Sequence, residues 1–127
     1  MERYKLSFGE IKILNKNLAE VIVDEGIIFD EIMVDEYHDF LLNSLTPPFL
    51  LLINKKYSYT YTFNAQKIIA NLKEIKAMAV LLSTYGGEMS TRTLINVNGN
   101  YKWNIELFQN RTEALQWLQE QYHFQTF

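Results

Sequence analysis

Two short runs constrain this chain more than any other feature: Phe49–Ile53 (FLLLI) and Ala77–Leu82 (AMAVLL). Each is apolar at consecutive positions, so a strand built from either hides both of its faces from water. Such strands belong in the interior of a sheet with helices on both sides. The segment between them supplies a helical pattern, with Ala65, Ile68, Ile69, Leu72 and Ile75 on one face and Thr62 or Asn64 as the cap. The exit from the first run has a different character. The strand is expected to break at Asn54-Lys55-Lys56, after which Tyr57, Tyr59 and Tyr61 alternate with Ser58, Thr60 and Thr62. Open α/β sheets bind ligands and partners outside the carboxyl ends of their strands, so this polar-aromatic segment is the first candidate site.

The remaining chain arranges itself around these runs. Leu6–Leu14 and Leu18–Val23 are strand-like and are separated by Asn15-Lys16-Asn17, a hairpin signal because asparagine tolerates the left-handed backbone of tight turns. In the second run Leu18, Glu20 and Ile22 face one way, and Ala19, Val21 and Val23 the other. Gly9 interrupts the first run and predicts a bulge. Asp30 caps a helix in which Met33, Tyr37, Phe40, Leu41 and Leu45 recur at helical spacing, and Pro47-Pro48 ends it. Beyond Leu82 the sequence predicts a loop at Ser83–Gly87, a weak helix at Ser90–Asn96 and a turn at Asn98-Gly99-Asn100. A half-exposed strand then places Tyr101, Trp103, Ile105 and Leu107 opposite Lys102, Asn104 and Glu106. The last helix opens at Asn110-Arg111-Thr112-Glu113 in capping-box manner and presents Ala114, Leu115, Leu118 and Tyr122, flanked by Trp117. The order is ββαβαβ(α)βα: a mixed β-sheet with helices packed on it, in one α/β domain over residues 1–127.

Composition narrows the function classes. With 48% hydrophobic and 14% aromatic residues, 127 residues suffice for one globular core. A net charge of −3 with scattered Lys and Arg carries no footprint for nucleic acid. The chain has no cysteine, which excludes a disulfide framework, thiol catalysis and cysteine-based zinc sites. Met1-Glu2-Arg3-Tyr4 lacks an apolar signal core and no apolar run approaches membrane-span length, so a cytoplasmic location is expected. No cofactor or metal is expected.

The element order, together with the closing segment Phe108, Arg111, Glu113, Ala114, Leu115, Trp117 and Leu118, resembles the SpoIIAA-like group of STAS/SEC14-type bacterial domains. That resemblance implies an α/β fold of the SpoIIAA-like kind and, in its anti-anti-sigma members, a phosphoacceptor serine in an Asp-Ser pair between the third strand and the next helix. The corresponding region here, Asn54–Asn64, contains no Asp-Ser; Ser58, Thr60 and Thr62 are the hydroxyls available for phosphorylation. The SEC14-type likeness implies a pocket for an apolar or lipid-like molecule.

Three tyrosines on one face offer flat apolar area with hydroxyl tips, suited to an interface or an amphipathic ligand, and equally suited to covering a neighbouring helix. Tyr85 and Arg92 are expected at the same edge, with Ser83, Thr84 and the glycines Gly86-Gly87; the glycine pair lacks the motifs that cradle phosphate. Seven of the fifteen carboxylates fall between Asp24 and Asp39, and Glu31, Asp35 and Asp39 line one helical face, either as a solvated surface or as a dock for a basic partner. His38 and His123 are expected at the surface and form neither a zinc site nor a triad. The expectation is a non-enzymatic binding or regulatory module that meets a protein partner or small amphipathic ligand through Tyr57, Tyr59, Tyr61, Tyr85 and Arg92, with self-association as a homodimer through the Trp103 strand. The alternative is a carrier of a lipid-like molecule in an apolar pocket.

Overall fold

Both apolar runs become adjacent interior strands of a six-stranded mixed sheet. The computed structural model describes residues 2–83 and 104–123. Its elements in chain order are β1 (Glu2–Leu6), β2 (Gly9–Asn15), β3 (Leu18–Val23), β4 (Ile28–Phe29), α1 (Glu31–Ser44), β5 (Phe49–Lys55), β6 (Thr60–Tyr61), α2 (Phe63–Ile68), β7 (Ile75–Leu82), β8 (Ile105–Phe108) and α3 (Arg111–His123). The strand order is β1-β2-β3-β5-β7-β8, antiparallel through β3 and parallel from β3 onward, while β4 and β6 pair as a separate parallel ribbon. Expectations for Thr84, Tyr85, Gly86, Gly87, Arg92, the Ser90–Asn96 helix, the Asn98–Asn100 turn and Tyr101–Trp103 lie outside the described residues. Within them, β8 is the last strand of the sheet.

Alternation along the strands divides the interior into two cores. Phe49 and Leu51 of β5 join Ala19, Val21 and Val23 of β3 and Met78 of β7 on the face covered by α1 and α2, through Val34, Tyr37, Leu41 and Ala65. Leu50 and Leu52, with Ala77 and Ala79, form the opposite face under Ala114 and Leu118 of α3. Alanines on both sides of that contact let the helix approach closely. Phe49, Leu51, Leu52 and Leu118 are fully buried, each contributing about 1.5–3 kcal/mol by leaving water.

The expected caps form: the Asp30 side chain accepts from the Met33 N–H at 2.9 Å, and Asn110 from the Glu113 N–H at 3.1 Å. Three other expectations need correction. The run from Leu6 is two strands rather than one with a bulge, because the chain reverses at Ser7-Phe8 and β1 pairs back on β2 from Leu6↔Gly9. Strand β1 is a solvent-facing edge carrying Glu2, Arg3 and Lys5, which leaves no apolar alternation to read. The strand of the first apolar run continues through Asn54 and Lys55. The helix after the tyrosines is six residues long, capped by the Thr62 hydroxyl; it ends at Ile68, and Ile75 belongs to β7.

A buried polar cluster ties α3 to the sheet. Glu20, 1% exposed, receives both terminal nitrogens of Arg111 at 2.7 Å and the Asn54 amide at 2.9 Å. Burial pushes the Glu20 carboxyl up, but the hydrogen bonds of Arg111 and Asn54, with the charges of Arg111 and Lys12, outweigh it and hold the group below its ordinary value of 4.5. A depressed carboxyl contributes stability that is present above 4.5 and is lost as pH falls through the lower folded value. Arg111 is 44% exposed, so the two partners are not equivalent on removal. Arg111→Met strands a buried carboxylate and should cost about 3 kcal/mol in urea unfolding at neutral pH. Glu20→Met leaves a guanidinium that reaches water and should cost clearly less; equal losses would contradict this account. At the β1–β2 turn, a Cβ on Gly9 (φ +155°) would stand 2.1 Å from the Ile22 carbonyl oxygen, so Gly9→Ala is expected to destabilise by about 2–3 kcal/mol, read as a lower urea midpoint.

Candidate functional site

The carboxyl ends of β3, β5 and β7 lie together at one end of the sheet. Because these strands are laid down in spatial order, no reversal of strand order opens a crevice there. The loops after β3 and β5 instead bind each other: the Gly26 N–H donates to Ser58 O at 2.8 Å, Thr60 N–H to Ile27 O at 3.0 Å and Thr62 N–H to Phe29 O at 2.9 Å. The resulting β4–β6 ribbon folds the tyrosine segment back over the end of the sheet. Beneath it lies a cavity of about 50 Å³ lined by Val21, Val23, Ile53, Met78 and Val80 from the strands, by Ile69 and Ala70 after α2, and by Tyr59 and Tyr61 from the ribbon.

The three tyrosines do not act as one ladder. Tyr59 is buried and Tyr61 half-buried, their rings edge to face with centroids 5.4 Å apart and their hydroxyls 3.2 Å apart. Tyr57 lies outside the cavity, exposed, with Lys56 Nζ over its ring at 5.4 Å. An aromatic cluster of Phe8, Phe29 and Tyr37 backs Tyr61, with Phe8 and Phe29 centroids 4.7 Å apart and Phe29 and Tyr61 6.2 Å apart. The cover therefore rests on the α1–α2 core, without extending β5.

The strand break expected at Asn54-Lys55-Lys56 does not fall at Lys55. Lys55 is instead the last residue of β5, pointing to the same face as Phe49, Leu51 and Ile53 and only 6% exposed. Its Nζ donates to the Tyr61 hydroxyl at 3.3 Å and stands 4.4 Å from the Tyr59 ring centroid and 5.2 Å from that of Tyr61. No carboxylate pairs with it among the described residues. Removing an ammonium from water costs several kcal/mol, and stacking over tyrosine returns only about 0.5–2 kcal/mol. A signal for this was present in the sequence: Lys55 continues the two-residue alternation of the inward positions 49, 51 and 53.

The candidate hydroxyls are spread out. Ser58 and Thr60 are exposed, Ser58 with its N–H donating to Glu25 at 3.3 Å, whereas Thr62 uses its oxygen as the α2 cap. Ser83 donates to the Lys55 carbonyl at 2.7 Å. Glu31, Asp35 and Asp39 are exposed along α1, and Glu31 accepts from Asn64 at 3.1 Å. His38 departs from expectation: it is half-buried, with Nε2 2.8 Å from the Ile69 carbonyl, and joins α1 to the end of α2. Among the described residues no group of three His, Asp or Glu side chains is placed to hold a metal ion, and no helix is long and apolar enough to cross a membrane.

No family model, curated protein or solved structure matches the chain.

Burial, then the neighbouring Tyr61, pushes the Tyr59 phenol well above 10; burial does the same to Tyr37. A phenol raised in the folded state contributes stability that is intact below 10 and is lost as pH rises through the folded value. In an alkaline absorbance titration, two of the eight tyrosines should therefore ionise only as the protein unfolds. A single step near 10 for all of them, with the fold intact by circular dichroism, would refute the buried assignment.

Proposed function

We propose that the chain is a binding or regulatory module without catalysis of its own, and that it takes a small amphipathic ligand at the carboxyl ends of β3, β5 and β7. The observation that carries this reading is the apolar cavity closed by Tyr59 and Tyr61. It combines an aliphatic lining with a few polar atoms at one side, the composition of small-molecule sites. The unreversed parallel order β3-β5-β7-β8 supports placing the module with the SpoIIAA-like domains. The missing Asp-Ser pair separates it from the phospho-switch of the anti-anti-sigma members.

At this cavity, volume favours the small ligand over the lipid-carrier alternative. Pockets that enclose drug-sized ligands span about 300–1,000 Å³, and the 50 Å³ here falls far short of an acyl chain. A protein partner is the second reading, favoured by one observation: Ile28, Ile32 and Phe63 are exposed large apolar residues on the elements that surround the cover.

Methyl NMR tests the reading directly. Titrating small amphipathic molecules should shift the methyls of Val21, Ile53, Met78 and Val80 while those of Leu50, Leu52 and Leu118 across the sheet stay in place. Uniform silence at the cavity methyls would overturn it. Ile32→Glu should leave those shifts unchanged, since only a macromolecular partner would meet that side chain.

A further inference from the structure

Resting on the reading of the cavity as a ligand site, we propose that its ligand is a short-chain aliphatic monocarboxylate whose carboxylate pairs with Lys55 Nζ. The inference starts from an imbalance. Lys55 carries three donor protons; among the described residues only the Tyr61 hydroxyl accepts from it, and the remaining contacts are ring faces. Neither Tyr59 nor Tyr37 supplies the missing negative charge, because burial keeps both phenols protonated. Glu20 shows what this chain does with a buried charge that is purely structural: it surrounds it with a bidentate guanidinium and an amide. Lys55 has no such set among the described residues, and it lines a space into which an anion fits.

Size and lining select the class. In the same measure of volume a water occupies about 10–15 Å³, so about 50 Å³ accommodates a group of a few non-hydrogen atoms. One carboxylate matches one ammonium, with the Tyr61 and Tyr59 hydroxyls beside it. Val21, Ile53, Met78 and Val80 then receive an aliphatic tail and offer nothing to a second charge. A phosphate dianion would need more donors than this lining presents. Burial of Lys55, which is 6% exposed, strengthens the pairing, since charges attract more strongly at low dielectric.

Calorimetry and methyl NMR with butyrate, its neutral isosteres butyramide and 1-butanol, and inorganic phosphate test the proposal on the full chain. Butyrate should bind at least ten-fold more tightly than butyramide, and Lys55→Met, which removes a buried charge and keeps the stem volume, should fold and abolish that preference. Equal binding of butyrate and butyramide overturns the carboxylate but leaves the cavity as a ligand site. Binding of phosphate in place of butyrate overturns the class. Silence of all four probes, while a larger amphipathic molecule still shifts the cavity methyls, overturns the size assignment; silence of every molecule removes the underlying reading as well. Glu88 is the one Asp or Glu within residues 84–103. If Glu88→Gln creates a butyrate affinity that the unaltered chain lacks, the counter-ion is internal and the proposal fails.

Discussion

Burial of β5 on both faces is the constraint from which the rest follows. Phe49 and Leu51 must be covered on one side and Leu50 and Leu52 on the other, so no arrangement with a solvated face satisfies this strand. One layer comes from α1 and α2, which connect successive parallel strands across the same face, and the other from α3. Polar side chains first appear where the strand leaves this double cover. Asn54 and Lys55 are neighbours in sequence and point to opposite faces. Asn54 joins Glu20 and Arg111 under the start of α3, and Lys55 enters the cavity beneath the tyrosines.

The two faces thus treat a buried charge in different ways. On the α3 face a carboxylate is matched by donors from another strand and from the helix N-terminus, and the contact holds layers together. On the α1–α2 face an ammonium meets two phenol rings and one hydroxyl. Desolvation is large for both groups, and only the first arrangement offsets it with an opposite charge among the described residues. Structural roles are sufficient to explain the Glu20 cluster. They do not explain why an aliphatic lining should contain a lysine at position 55, where methionine or leucine would fill the same space without a charge.

Legibility in the sequence followed how local each physical cause was. The Asp30 and Asn110 caps, the Asn15-Lys16-Asn17 turn and the apolar runs act over a few residues, and all are where the pattern puts them. Strand β1 was hidden because a charged edge lacks alternation. The β4–β6 ribbon was hidden because strands of two residues carry no period at all. The Glu20–Arg111 pair spans 91 positions, and nothing local distinguishes that arginine from a solvated one. The tyrosine segment follows the carboxyl end of a central strand, the position its place after the first apolar run predicts. Its division into two covering rings and one exposed ring depends on a backbone reversal, fixed by hydrogen bonds to the loop after β3.

In the proposed reading, that reversal is also what makes the site both small and selective. An open crevice at the end of the sheet would admit water and screen Lys55, leaving a weak surface charge. Pairing the two loops covers the space with Tyr59 and Tyr61, whose ring faces lie against the lysine ammonium, with the Tyr61 hydroxyl accepting from it. Discrimination by the proposed site would come from what it refuses: a neutral ligand leaves the ammonium without its counter-charge, and a larger one must displace the ribbon. The hydrogen bonds between the loops, backbone to backbone at Gly26, Ile27, Phe29, Ser58, Thr60 and Thr62 and joined by Ser58 N–H to the Glu25 carboxylate, set how much displacement the cover tolerates. On the proposed reading, ligand size is governed by backbone pairing outside the cavity as much as by the side chains that line it.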